Sequence, residues 1–221
     1  TDRVGVRHAH RPGAGGGPPR TCLSIGPAAP AQRMVRVGAS CDASTSMAGT
    51  TASGFNAAST FAATDVYFAT AATNTAIAAA FGAIAGMAYI TKRTGKPDPG
   101  MMVNGMLAGL VAITAPCVFV APWAAAVIGT IAAVLAIESV FFIERKLKLD
   151  DPVGAIAVHG VNGIFGVLAV GIFANGSYGA GWNGSPTKGV EGIIKGDWGQ
   201  LGAQALGVAV ILCVIFPIAY G

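Results

Sequence analysis

The sequence predicts an all-α integral membrane protein, on two observations. Only 11% of its 221 residues are charged and 53% are apolar, whereas a soluble domain carries roughly 25% charged residues. The uncharged residues also form long stretches, at 66–91, 99–137, 152–187 and 199–221. Because about 20 apolar helical residues cross the roughly 30 Å hydrocarbon core of a bilayer, each stretch is long enough to span a membrane.

Five membrane-spanning helices are predicted within these stretches, at about 66–91, 101–120, 123–143, 153–174 and 199–220. The stretch 99–137 is too long for one span, so it must fold back, and Pro116 and Pro122 mark the bend. Glycine and alanine recur throughout the spans, which lets helix backbones approach closely in a bilayer. We therefore expect a tight bundle of five helices.

Basic residues predict the orientation of the bundle. Two clusters follow the first and third spans: Lys92, Arg93, Lys96, Arg145, Lys146 and Lys148. Because cytoplasmic loops are enriched in lysine and arginine, both clusters are predicted to be cytoplasmic, which puts the loop 175–198 outside and the C-terminus inside. These clusters explain the formal net charge of +4 better than a nucleic acid partner would, and we predict no nucleic acid binding.

Residues 1–48 differ from the rest of the chain. They contain six arginines, no lysine, a GAGGGPP tract and no helical or strand periodicity. This composition is typical of disordered segments, and arginines on the predicted outer side conflict with the positive-inside rule. We predict a disordered or non-native segment at 1–48, followed by the transmembrane domain at 49–221.

His159 is the candidate functional residue that stands out most, because it is predicted to lie in the middle of the fourth span. An ionisable residue inside an apolar helix is costly when charged. It is therefore usually neutral, faces the bundle interior and belongs to a transport or proton path. The alternative is a neutral core histidine that is hydrogen-bonded to a neighbouring helix. His8 and His10 fall within residues 1–48 and are given no role.

Other polar residues give no indication of an enzyme. Asp150 and Asp151 precede Pro152, and this arrangement favours a helix cap over catalysis. The cysteines lack the spacing of metal ligands: Cys22, Cys41, Cys117 and Cys213. Because we recognise no nucleophile–base pair, metal cluster or phosphate-binding loop, we expect a protein that is not an enzyme and needs no cofactor or metal.

Three ordered segments of the sequence are distinctive: GFNAAST at 54–60, MMVNGMLAGLVAITAPC at 101–117 and DDPVGAIAVHGVNGIFGVLAVGIFANGSYG at 150–179. Together they resemble the ammonium transporters, the Amt, Mep and Rh family, over about three quarters of the chain, from Gly54 to Gly221. The resemblance implies a fold of eleven helices, of which ten form two inverted repeats around a pore. It assigns this chain to the end of the sixth helix and the seventh to eleventh helices.

The resemblance also implies roles for three residues. His159 in VHGVNG is similar to one of two pore histidines that face each other. Phe55 in GFN is similar to one of two stacked gate phenylalanines, and Ser59 to the hydroxyl of the external ammonium site. Residues 44–53 are small and polar where the family has an apolar, aromatic sixth helix. Phe55 and Ser59 are therefore expected to lack the helix that should hold them.

The function implied by the resemblance is transport of ammonium or ammonia across the plasma membrane. Because the partner histidine belongs to helices outside the match, we expect an incomplete pore. The alternative is a non-transporting membrane fragment, or an ammonium-sensing or assembly module. In the family, complete chains form homotrimers with one pore per subunit, and PII-type regulatory proteins bind the cytoplasmic face. The expected partners are thus ammonium or ammonia, the lipid bilayer, further copies of the chain and a PII-type protein.

Overall fold

The computed structural model describes residues 52–61, 66–151, 153–179 and 189–220. The predicted disordered segment at 1–48 lies outside these residues. The described chain begins with a short helix at 52–58, followed by six α-helices: α1 (Val66–Thr94), α2 (Pro99–Thr114), α3 (Pro122–Phe142), α4 (Asn162–Phe173), α5 (Trp198–Val210) and α6 (Phe216–Tyr220). Three π-helical segments continue these helices: Ile143–Leu147 after α3, Ile156–Val161 before α4 and Ile211–Ile215 between α5 and α6.

The five predicted spans correspond to five apolar helical runs. Four of them are long enough to cross a bilayer: Val66–Thr94, Pro122–Leu147, Ile156–Phe173 and Trp198–Ala219. The second span is shorter than predicted, because α2 ends at Thr114 and its 16 residues extend only about 24 Å. The prediction that it continues to residue 120 was wrong. Pro116 cannot donate to a helical hydrogen bond and its ring clashes with the preceding turn, so residues 115–119 form turns instead.

Aspartates determine where two of the helices begin. The Asp98 carboxylate accepts hydrogen bonds from the backbone N–H groups of Gly100, at 2.8 Å, and Met101, at 3.4 Å. The Asp197 carboxylate accepts one from the N–H of Gly199 at 2.8 Å. These N–H groups have no partner within their own helices, so each carboxylate provides one.

Helices α1, α2 and α3 meet at the backbone carbonyl of Ala78. Gly109 of α2 and Gly129 of α3 lie so close to this carbonyl oxygen that a Cβ on either glycine would overlap it. Further along, a Cβ on Gly105 of α2 would lie 2.6 Å from the carbonyl oxygen of Gly82 in α1. Lipid is as apolar as the helices, so helix association in a bilayer depends on close packing of this kind. The expected tight bundle is present in these three helices.

A charged cluster joins α1 to α3 at the ends that are predicted to be cytoplasmic. Glu138 forms an ion pair with Arg93 and accepts a hydrogen bond from the Tyr89 hydroxyl. The guanidinium carbons of Arg93 and Arg145 lie 4.6 and 4.9 Å from the centre of the Phe141 ring. An acid within an apolar helix requires such partners.

We expect Gly129→Ala to lower the stability of the bundle by about 1–3 kcal/mol, because the added Cβ would push α3 away from the Ala78 carbonyl. The matched control is Gly207→Ala on α5, where a Cβ would meet nothing within 4 Å. Thermal unfolding of both variants in detergent, followed by helical circular dichroism, is the measurement. Equal melting temperatures for the two variants would contradict the proposed role of this contact.

Candidate functional site

His159 lies on the π-helical segment Ile156–Val161, which we call the histidine turn. Its side chain is exposed, whereas Ala157 and Val158 of the same turn are buried. The imidazole makes no hydrogen bond to any residue that the structure describes. Within the described residues, His159 is therefore exposed and is not hydrogen-bonded as the alternative interpretation of a core histidine would require.

The position of His159 along its span differs from the prediction. The helical run is Ile156–Phe173, so His159 is its fourth residue rather than its middle. Because the run starts three residues later than predicted, the histidine moves toward the end of the helix that is predicted to be cytoplasmic. It remains 14 residues from Phe173, or about 21 Å along the helix axis.

Asp151 caps the start of the histidine turn. The residue is only 5% exposed, and its carboxylate accepts hydrogen bonds from the backbone N–H groups of Ile156, at 3.0 Å, and Ala157, at 3.3 Å. The predicted capping role is thus confirmed for Asp151, while Asp150 is exposed. Pro152, the other residue of that prediction, is not among the described residues.

Asn162 holds the other side of the same turn, and sequence reasoning missed it. It is fully buried, and its side-chain amide donates to the backbone carbonyl of Ala157 at 2.9 Å. Its side-chain carbonyl oxygen is buried with no hydrogen-bond partner among the described residues. The signal was available in the sequence, because an amide inside an apolar span requires an explanation just as an imidazole does.

Phe55 and Ser59 lie together on one helical turn. They are four residues apart, and the Ser59 hydroxyl donates to the backbone carbonyl of Phe55 at 2.9 Å. Both side chains are exposed, and 66% of Phe55 is accessible. Because the hydroxyl hydrogen is used by the backbone, the oxygen of Ser59 faces outward as an acceptor. The pair therefore offers a cation an aromatic ring and a lone pair.

Asn56 attaches this turn to α1. It is buried, and its side-chain amide donates to the Thr75 hydroxyl at 3.1 Å. Thr75 in turn donates to the backbone carbonyl of Ala71 at 2.7 Å. α1 thus supports the turn that bears Phe55 and Ser59, while most of residues 44–53, where the sixth helix was expected to be missing, lie outside the described residues. No hydrogen bond or ring contact within the described residues joins either of them to His159.

A second buried asparagine, Asn74, holds the turns between α2 and α3. Its side-chain amide donates to the backbone carbonyls of Cys117, at 2.8 Å, and Val120, at 2.9 Å. Cys117 itself is buried in the core of the bundle. In the described part of the chain, no three histidine, cysteine or acidic side chains are grouped so as to hold a metal ion.

Comparison with known sequences identifies related proteins. The family model described as Ammonium Transporter Family matches residues 53–220. Ammonium transporter Amt2 of Archaeoglobus fulgidus is 49% identical over 157 residues, which are 71% of this chain and 33% of that protein. The ammonium transporter of Bacillus subtilis is 32% identical over 148 residues, which are 67% of this chain and 34% of that protein. The chain thus spans about a third of the length of these relatives.

Solved structures give the same result for the fold. The Sensor Amt Protein superposes with a TM-score of 0.63 and 41% identity, over 75% of this chain and 38% of that one. Candida albicans Mep2 superposes with a TM-score of 0.71 and 30% identity, over 79% of this chain and 37% of that one. The sequence resemblance and the multi-pass membrane fold are both confirmed. With the family match extending over residues 53–220, this chain belongs to the ammonium transporter family.

Proposed function

We propose that this chain is part of an ammonium transporter, in which Phe55 and Ser59 form an external ammonium site and His159 lies on the path that follows it. The observation that carries the proposal is the turn that bears Phe55 and Ser59. An exposed aromatic ring and an exposed hydroxyl lie on it four residues apart, and the hydroxyl hydrogen is already donated to the backbone.

The external site replaces part of the hydration of ammonium. The face of an aromatic ring attracts a cation by about 0.5–2 kcal/mol, depending on how far the cation is desolvated. The Ser59 oxygen accepts one N–H of the ion. The hydrogen bond from Asn56 to Thr75 keeps the backbone of this turn in place, so little backbone freedom is lost when the ion binds.

Beyond this site the ion must transfer a proton to water at the external mouth and continue as ammonia, because a charge within apolar helices is costly. Neutral ammonia then passes along the bundle. The His159 imidazole has one donor and one acceptor nitrogen when neutral, so it can hydrogen-bond ammonia or a second imidazole. Its exposure and its lack of a hydrogen bond within the described chain leave both nitrogens available for this purpose.

The proposed pore is completed by residues that this chain does not supply. The chain spans about a third of the length of its relatives, and the exposed face that carries His159 is where the remainder would pack. A second candidate is an ammonium-sensing module without transport, which is favoured by the 41% identity to the Sensor Amt Protein. Saturable uptake separates the two candidates.

We also propose a plasma membrane location with a cytoplasmic C-terminus, assembly as a homotrimer and regulation by a PII-type protein. The orientation is supported by the basic residues that end α1 and follow α3. Two exposed tryptophans lie at helix starts: Trp123 in the first turn of α3, at the end opposite to its basic residues, and Trp198 at the beginning of α5. Tryptophan is enriched at membrane interfaces, so both positions agree with helix ends at the outer interface. The trimer and the regulator are supported by family membership.

The chain alone is expected to give no saturable methylammonium uptake in transport-deficient cells, because a single histidine cannot line a closed path. Joined at residue 53 to the upstream part of Archaeoglobus fulgidus Amt2, it is expected to transport, and His159→Ala is expected to change that uptake. Membrane abundance of each protein is measured alongside.

Uptake by the chain alone that is lost in His159→Ala would contradict the incomplete pore. Uptake by the fusion that His159→Ala leaves unchanged would contradict the role of the histidine.

In the same fusion, Phe55→Ala is expected to raise the KM for methylammonium by about 2- to 30-fold, the equivalent of losing one cation–π contact. Phe55→Trp retains a ring and should restore most of the affinity. The matched control is Phe81→Ala, which removes an exposed ring from the middle of α1 and should leave KM unchanged. If Phe55→Ala and Phe81→Ala give the same KM, the external site is not at Phe55.

A further inference from the structure

The backbone of Ala157 is held on both sides by buried polar side chains. Asp151 accepts a hydrogen bond from its N–H at 3.3 Å, and Asn162 donates one to its carbonyl at 2.9 Å. Asn162 also donates its backbone N–H to the carbonyl of His159. Ala157 lies two residues before His159, so these contacts enclose the part of the histidine turn that carries the imidazole.

The histidine turn has one packed face and one open face. Ala157 is packed with Val140 and Ile143 of the preceding helical run. On the open face His159 and Gly160 are exposed. Ala157 can be packed while His159 is exposed only in one orientation of the turn about its helix axis. The turn must therefore keep that orientation.

A π-helical turn is rarely stable by itself, because its hydrogen-bonded ring takes up one residue more than that of an α-helix. One residue corresponds to about 100° of rotation about the helix axis. If the turn relaxed to α-helical geometry, His159 would rotate relative to α4 by an amount of this order. It would then leave the open face.

The side-chain chemistry of Asn162 indicates that its amide N–H donor is the reason for an asparagine at this position. Its side-chain oxygen is buried without a partner among the described residues, and an apolar side chain of similar size would avoid the cost of burying that oxygen. Packing alone therefore does not explain an asparagine at this position. The hydrogen bond from its amide to Ala157 does.

We infer that Asn162 is a positioning residue for His159: with Asp151 it fixes the backbone of Ala157 and thereby holds the imidazole on the open face of the bundle. The inference rests on the proposed function, in which that imidazole lies on the ammonia path. Asn162 does not touch the transported species. It acts through the geometry of the histidine turn.

The test measures how fast diethyl pyrocarbonate modifies His159 in the full chain, in detergent micelles, by mass spectrometry. His8 and His10 of the same chain serve as internal references for reagent concentration. Asn162→Leu keeps the approximate size of the side chain and removes the donor. We expect the rate at His159, relative to His8 and His10, to fall several-fold, because the imidazole turns away from the open face.

The matched control is Asn74→Leu. Asn74 is equally buried and also donates to backbone carbonyls, those of Cys117 and Val120, but it lies outside the histidine turn. We expect this variant to lose stability without any change in the His159 rate. An unchanged rate in Asn162→Leu, or an equal change in both variants, would overturn the inference. Where Asn162→Leu does not fold, Asn162→Ala, which is smaller and also removes the donor, decides in the same way.

Uptake by the fusion with the Archaeoglobus fulgidus Amt2 upstream part supplies the second readout. Asn162→Leu is expected to lower the maximal rate and shift its pH profile while the KM stays constant, because Phe55 and Ser59 are untouched. The modification rate of His159 does not depend on transport. If His159→Ala leaves uptake unchanged, the proposed function fails, whereas an unchanged modification rate in Asn162→Leu defeats only the positioning role.

Discussion

The contact of Gly109 and Gly129 with the carbonyl of Ala78 is the constraint on which the rest of the bundle depends. In lipid, helices gain little free energy by burying apolar surface against one another, because the lipid is equally apolar. Close packing must therefore stabilise their association. At this contact three helix backbones approach without any side chain between them. The distance between α1 and α3 that results allows Glu138 to reach Arg93 and Tyr89 at one end.

Buried amides solve the problem that such a bundle creates for irregular backbone. Within a bilayer, a carbonyl or N–H outside regular helix has no water to bind. Asn74 satisfies the carbonyls in the turns after α2, Asn56 attaches the turn that bears Phe55, and Asn162 supports the histidine turn. Each interruption of regular helix that bears a candidate functional residue thus has an asparagine that holds it.

The sequence predicted a membrane protein and its approximate spans, because a helix that crosses a bilayer needs a long run of apolar residues with few charges. It placed the end of the second span too late. The apolar run continues past Pro116, but the proline ends the helix. It missed Asn56, Asn74 and Asn162 as supports for a different reason. The contact from Asn74 to Cys117 joins residues 43 positions apart, and such pairing depends on helix rotation, which hydrophobic patterns in an all-apolar span do not specify.

The open face that carries His159 has its own energetic consequence. An imidazole facing hydrocarbon keeps two polar nitrogens without partners, and an unpaired polar group in lipid is costly. α5 contributes no buried residue to the described chain either, so its surface also lacks a protein cover among the described residues. Lipid would satisfy the apolar side chains of this surface but not the imidazole. A neighbouring surface with hydrogen-bonding groups would satisfy both, which agrees with the proposed role of this face as one wall of a transport path.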